Sequence, residues 1–236
     1  MIWAVVPAAG SGRRFGTSLP KQYVEIDGKC VLRWTLEALL MHEQICGAMV
    51  VLSREDGYWP GWQNIHGKPV LTATGGAERA DSVLAGLTAL PAVVRDADFV
   101  LVHDAARPCL SAADISALIA RVQNTDGGLL AAPVRDTIKR GQLRETGEMV
   151  VGATVPRADL WRALTPQMFK RAALMHALTA AKAGGERCTD ESAAMEALGY
   201  APILVEGADD NLKVTTANDL AIATSVLRAM YSQSAS

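Results

Sequence analysis

The sequence predicts an α/β fold: a mostly parallel sheet with helices on both faces, plus a β-hairpin arm. Three observations carry that prediction. Its strand-like segments are short and continuously apolar, as strands buried on both faces are. Helical patterns separate them, as crossovers between parallel strands require. The glycine-rich and charged segments gather where strands end, which is where such sheets bind ligands.

Residues 2–8 open the chain as a β-rich run that gives way to small residues and glycine. Within 31–42, Leu32, Leu36, Leu39 and Leu40 recur near helical spacing. Residues 48–52 and 70–73 read as strands, and 78–90 as a helix with Val83, Leu84 and Leu87 on one face. Residues 99–102 are a strand that stops at His103-Asp104. Ser111, with Asp114 three residues on, gives the capped start of a helix carrying Ile115, Leu118, Ile119 and Val122. Residues 128–133 are a further strand. Residues 134–157 break the pattern with polar, two-stranded character. An isolated hairpin is marginal in water, so this arm is expected to pack on something, a second subunit being the economical candidate. Beyond it, 167–182 and 190–198 read as helices, 201–205 as a strand and 219–230 as a closing helix, with 232–236 a frayed tail. Without repeat or linker, residues 1–236 read as one domain with an arm.

Composition sets the outer bounds. Half of the 236 residues are hydrophobic, enough for a real core in one domain. A net charge of -2 and 5% aromatic residues argue against a nucleic-acid partner. No apolar run approaches the roughly 20 residues that span a bilayer. Arg13-Arg14 follow the opening apolar run instead of preceding it, the wrong order for a secretory signal. Cys30, Cys46, Cys109 and Cys188 form no C-x-x-C pair, which points to reduced thiols and a cytoplasmic location.

Four segments carry chemistry. The first is Pro7-Ala8-Ala9-Gly10-Ser11-Gly12-Arg13-Arg14-Phe15-Gly16, followed by Pro20-Lys21-Gln22. A strand opening into small residues lets backbone N–H groups approach a phosphate or base. Residues 1–24 hold Arg13, Arg14 and Lys21 and no acid, a local cationic site suited to polyphosphate; the plain alternative is a surface turn with solvated arginines. Gly16 comes one residue late for a dinucleotide fingerprint, which disfavours a dehydrogenase. The second segment, Gly75 to Val83, is a strand-to-helix turn where Ser82 and close glycine backbone suit a base, or where Arg79 merely pairs with a carboxylate. In His103-Asp104-Ala105-Ala106-Arg107-Pro108, Asp104 at a strand end is a candidate Mg²⁺ ligand and Arg107 a grip for an anion, against a structural Asp–Arg pair. His103, with no second ligand at metal spacing, reads as a packing or hydrogen-bonding residue. Lys213, within Asp210-Asn211-Leu212-Lys213-Val214-Thr215, either points a charge into the site or is an ordinary exposed lysine.

Together these segments resemble the 2-C-methyl-D-erythritol 4-phosphate cytidylyltransferase family. The resemblance rests on PAAGSGRRFG with PKQY at 7–23, GGAERADSV at 75–83, VHDAARPC at 102–109 and AAPVRDTIKR at 131–140. It continues through LTPQ at 164–167, TDES at 189–192 and DNLKVT at 210–215. It implies a Rossmann-like sheet, a homodimer through the arm, and transfer of CMP from CTP to methylerythritol phosphate with Mg²⁺. By the same resemblance Arg14, Lys21, Arg157 and Lys213 would carry catalysis. Ala8, Ala9, Gly10, Ser11, Gly12, Gly76, Arg79, Ser82 and Ala105 would hold the nucleotide. Asp104, Arg107, Thr137, Arg157, Thr189 and Lys213 would hold the second substrate, with Thr137 and Arg157 reaching the partner subunit's site. Ala77 stands where some relatives carry an Asp that contacts ribose; one such hydrogen bond is worth about 0.5–1.5 kcal/mol. A ribitol 5-phosphate cytidylyltransferase and a non-catalytic nucleotide-binding module are the rival readings.

Overall fold

A computed structural model describes residues 1–10, 19–185 and 188–232. Its centre is an eight-stranded sheet in the order β12-β8-β11-β7-β1-β4-β6-β5. The strands are β1 (Ile2–Pro7), β4 (Ile45–Leu52), β5 (Asn64–Ile65), β6 (Lys68–Thr74), β7 (Phe99–Val102), β8 (Gly128–Pro133), β11 (Trp161–Lys170) and β12 (Ile203–Glu206). β1, β4, β6 and β7 are parallel, as are β8 and β12.

The uniform apolar character of these strands follows from burial on both faces. In β1, Ala4 and Val6 enter one core cluster while Trp3 and Val5 enter another, and β4 splits Ala48 and Val50 from Met49 and Val51 in the same way. Helices α1 (Val31–Leu40) and α3 (Ala112–Val122) cover the first face; α2 (Arg79–Thr88), α4 (Arg171–Ala183) and α5 (Glu191–Ala197) cover the second. Their side chains interleave with the strands' period-2 alternation. A third, smaller cluster seats α6 (Ala217–Ser232) through Ala223 and Leu227 against Val31, Ala106 and Val214. The predicted Ser111 cap is present: its side chain accepts from Asp114 N.

Two expectations change. The helix predicted over 167–182 begins at Arg171, because Trp161–Lys170 form β11, antiparallel to both β7 and β8. Pro166 argued against an interior strand, and Leu164–Phe169, with polar Thr165 and Gln167 among its buried residues, follows neither the strand nor the helix period. The strand pair β2 (Glu25–Ile26) and β3 (Lys29–Cys30) was not anticipated either. Its turn is Asp27-Gly28, both at positive φ (49° and 79°), the Asp-Gly signature of a tight hairpin.

The predicted hairpin is present: β9 (Ile138–Leu143) and β10 (Met149–Val155) form a two-stranded sheet of their own. Among the described residues no helix is long and apolar enough to cross a membrane.

Candidate active site

The chain runs from β1 outward through β4 to β6, then returns to place β7 on the other side of β1. A crevice opens at such a reversal, beyond the carboxyl ends of the strands. Here it is a cavity of about 330 Å³. One wall is Ala8, Ala9 and Gly10 with Lys21 and Gln22; the opposite wall includes Gly76, Arg79 and Ser82; Asp104, Ala105 and Lys213 complete it.

Each wall is fixed by local chemistry. Ala8 N donates to Val51 O at 2.8 Å, and buried Gln22 donates through Nε2 to Ala8 O at 2.8 Å and Gly10 O at 3.4 Å. The small-residue loop is thus tied down by the glutamine of the PKQY segment. In the second wall a Cβ on Gly76 would lie 2.4 Å from the Asp81 Cβ, so only glycine permits this approach of turn to helix. Ser82 Oγ accepts from Gly76 N at 3.2 Å and itself donates to Glu78 O at 3.2 Å, holding the turn onto α2. In the third segment, Thr35 of α1 donates to Ala105 O at 3.1 Å.

Charge concentrates around Asp104. Its Oδ1 meets Arg79 Nε at 3.1 Å; its Oδ2 meets Lys213 Nζ at 2.9 Å and Arg107 Nε at 3.4 Å. Burial raises the Asp104 carboxyl, but Arg79, Lys213 and Arg107 outweigh that and hold it well below the usual carboxylate range. Arg79 Nη1 and Nη2 fork onto the two oxygens of Glu191, at 2.5 and 3.1 Å. Burial alone would lower the Arg79 guanidinium; Glu191 and Asp104 reverse that and keep it charged. Burial lowers Arg107, with Asp104 opposing.

Behind Asp104, polar groups close a buried ring. His103 Nε2 donates to Arg107 O at 3.0 Å, and its Nδ1 accepts from Thr165 Oγ1 at 2.9 Å. Thr165 Oγ1 also accepts from Asp104 N at 3.1 Å. Arg107 Nη1 donates to Asn211 O at 2.7 Å, and Asn211 Nδ2 donates to Thr165 O at 2.8 Å. Burial pushes the fully enclosed His103 imidazole down to about 4, so it is neutral at physiological pH. Lys21 Nζ donates to Val214 O at 3.0 Å, bringing the first cationic segment onto the last.

Ten of the residues singled out in the sequence therefore line one cavity: Ala8, Ala9, Gly10, Lys21, Gly76, Arg79, Ser82, Asp104, Ala105 and Lys213. Arg107 lies directly behind Asp104. Ser11, Gly12 and Arg14 lie outside the described residues. Thr137, Arg157 and Thr189 are exposed and do not line the cavity. The structural readings of Arg79 and Asp104 are met, since Arg79 pairs with Asp104 and Glu191, and Asp104 also with Arg107; both residues line the cavity, as a role toward a ligand requires. Gln22, Thr165, Glu191 and Asn211 were not assigned roles from sequence, although each sits inside a segment that carried the family resemblance. Their polar character next to charged residues was the available signal; their partners are 12 to 112 positions away and leave no local trace.

Among the described residues there is no group of three His, Cys, Asp or Glu side chains able to hold a metal. Asp104 has both oxygens committed to cations. These residues do not form a protein-built Mg²⁺ cage, which needs several oxygen donors free of competing cations.

Comparison with known proteins is consistent across the chain. The family profile for 2-C-methyl-D-erythritol 4-phosphate cytidylyltransferase matches residues 2–229. A protein of that name from Stenotrophomonas maltophilia (strain K279a) is 57% identical over 221 residues, 93% of each chain. One from Xanthomonas campestris pv. campestris (strain 8004) is 53% identical, over 93% of this chain and 82% of the relative. A crystal structure of 4-diphosphocytidyl-2C-methyl-D-erythritol synthase superposes with a TM-score of 0.81 at 38% identity, covering 96% of this chain and 98% of the other. The Francisella tularensis 2-C-methyl-D-erythritol 4-phosphate cytidylyltransferase gives 0.80 at 29% identity, covering 95% and 99%.

Proposed function

The chain belongs to the 2-C-methyl-D-erythritol 4-phosphate cytidylyltransferase family, and we propose that it runs that family's reaction by positioning and charge neutralisation in the β1/β7 crevice. A phosphate oxygen of methylerythritol phosphate attacks the α-phosphorus of CTP, a new P–O bond forms, and the bond to the pyrophosphate leaving group breaks. The attacking oxygen is already ionised at neutral pH, so no general base is required. The observation that carries this reading is the cavity's own chemistry. Lys21, Arg79 and Lys213 line it, Arg107 stands behind, and the histidine beside it is neutral, enclosed and hydrogen-bonded at both ring nitrogens. Fixed cations where charge develops are the larger part of catalysis in phosphoryl-type transfer.

In this reading the small residues from Ala8 to Gly12, with Gly76, Ser82 and Ala105, hold the cytidine. Arg14 and Lys21 stabilise charge on the α-phosphate. Asp104, Arg107, Thr189 and Lys213 order the methylerythritol phosphate. Thr137 and Arg157, exposed at the base of the arm, serve the site of a second copy in a homodimer. Mg²⁺, if carried in by the CTP phosphates, would supply charge neutralisation there; Asp104 would hold it only on giving up one of its paired cations. The location is cytoplasmic, in keeping with four cysteines that form no disulfide with one another.

The test is pyrophosphate release, crossing the four nucleoside triphosphates against methylerythritol phosphate and ribitol 5-phosphate. Release with CTP and methylerythritol phosphate is expected. Release with ribitol 5-phosphate alone would overturn the assigned acceptor, and CTP binding without any release would make the chain a binding module.

A further inference from the structure

Behind the cavity wall lies a fully buried acid that the reaction does not use. Glu191 is 0% exposed, yet it is the first residue of α5 and reaches the cavity only through Arg79. The geometry points to Glu191 as a positioning residue for cytidylyl transfer, acting on Asp104 through Arg79; this rests on the reaction assigned above.

The guanidinium of Arg79 has one face for each acid. Glu191 takes both terminal nitrogens in a fork, and the remaining Nε–H meets Asp104 Oδ1 at 3.1 Å. Bidentate pairing fixes the plane of a guanidinium in a way that a single contact does not. Because Oδ1 is held, Oδ2 is the oxygen presented to Lys213 and Arg107. The anchor is tied on both sides: Asp190 caps α5 through Ala193 N, Gln167 Nε2 donates to Asp190 Oδ2 at 2.9 Å, and Ser192 N donates to Gln167 Oε1 at 2.8 Å. α5 is thereby bolted to β11 in the middle of the sheet.

This arrangement also spends the charge of Arg79. An arginine at the wall of a polyphosphate site will pair with phosphate unless its donors are already engaged. Glu191 and Asp104 together engage three of its five N–H donors and more than balance its charge, which weakens its pull on a phosphate and leaves it to orient Asp104. A purely structural bridge between α2 and α5 would need no third partner in the cavity; Arg79 has one.

The role predicts a split between binding and turnover. In Glu191→Gln, which keeps the shape and removes the charge, kcat is expected to fall about 10-fold or more, as misplacement of a positioned group does. CTP affinity, measured by titration calorimetry, is expected to hold or tighten as Arg79 is released toward phosphate. Arg79→Lys keeps the cation but loses the fork, and the same fall in kcat is expected. Adding Glu191→Gln to Arg79→Lys should cost no more than about 2-fold further, since the two act as one unit. Wild-type kcat in a folded Glu191→Gln, or loss of CTP affinity in step with kcat, would overturn the role. If Glu191→Gln does not fold, wild-type kcat in Arg79→Lys overturns it alone. Failure of the wild-type protein to release pyrophosphate from CTP and methylerythritol phosphate would instead overturn the assigned reaction.

Discussion

Two regions of this chain break the rule of apolar inside and polar outside, in opposite directions. Behind the cavity, His103, Asp104, Arg107, Glu191 and Asn211 are buried, none more than 9% exposed. On the arm, Leu143, Met149 and Val151 are 65%, 68% and 66% exposed. The first region finds its partners within one chain, Asn211 Oδ1 excepted: its ion pairs and hydrogen bonds link segments as far apart as Arg79 and Glu191, or Arg107 and Asn211. Buried polar groups are tolerated when partnered in this way. The second region is unfinished in one chain, since the hairpin's strands pair only with each other and leave apolar side chains in water. A polar interior that is closed and an apolar exterior that is open teach the same lesson: each makes sense only with its partners counted. For the arm, the proposed partner is a second copy.

The sharpest way to separate the regions is to remove a cation assigned to the reaction. Lys21→Ala and Arg14→Ala are each expected to lower turnover about 10²-fold, the usual cost of one preorganised donor in a transfer site. Circular dichroism and gel filtration should show an unchanged fold and an unchanged assembly. Near-full turnover in either variant would remove that residue from the mechanism.

The complementary change strikes the arm. Val151→Glu together with Met149→Glu puts charge on the exposed apolar strip, where central interface residues are typically worth about 2 kcal/mol each. Sedimentation is expected to shift to monomer mass, with activity falling as Thr137 and Arg157 lose the neighbouring site. A stable monomer with full activity would separate the arm from catalysis, and an unchanged dimer would place the interface elsewhere.

How much of this was legible before any coordinates is itself uneven between the regions. The parallel strands and most of their crossover helices were readable, because burial on both faces leaves uninterrupted runs such as Phe99–Val102 and because Ser111 caps with Asp114. The arm was readable because its polar residues interrupt that pattern. β11 was not, since a buried strand containing Pro166 mimics neither period. Among cavity-facing residues, Arg79 and Asp104 were visible from charge placed near strand ends, Lys21 from an opening segment that holds cations and no acid, and Lys213 from the DNLKVT segment of the family resemblance. The network behind them was hidden: Thr165 and Asn211 look unremarkable in sequence, and their importance lies in bonds to each other and to His103 and Arg107. Long-range pairing of ordinary polar residues has no local signature.

That hidden network predicts a smaller effect, on stability. Thr165→Val removes the donor to His103 Nδ1 and the acceptor of Asp104 N in one step. Leaving such buried groups unpaired costs about 1–3 kcal/mol. Thr137→Val at the exposed base of the arm should stay within about 0.5 kcal/mol. Urea unfolding midpoints compare the two directly, and equal effects would mean that the ring behind Asp104 contributes nothing particular to the fold.

The mildest test uses pH, and it too divides the regions. The folded chain holds His103 neutral down to about 4, through burial, against an ordinary value of 6.5. Between those values the unfolded chain binds a proton that the folded chain refuses, so stability falls as the solution is acidified from 6.5 toward 4 and levels off below. Above 6.5 the imidazole is neutral in both states and contributes no slope. One proton corresponds to at most about 1.4 kcal/mol per pH step, on the order of 3 kcal/mol in all. Asp104, held low by its cations, loses its contribution only in stronger acid, below the ordinary carboxylate value of 3.8. Residues 134–157 contain no histidine, so association through the arm carries no histidine titration of its own in this window. Unfolding measured at pH 7.5 and pH 5 should therefore show a smaller acid-induced drop in His103→Gln than in the wild-type protein. Equal drops would place the titration in some other group and leave the neutrality of this histidine without consequence for the fold.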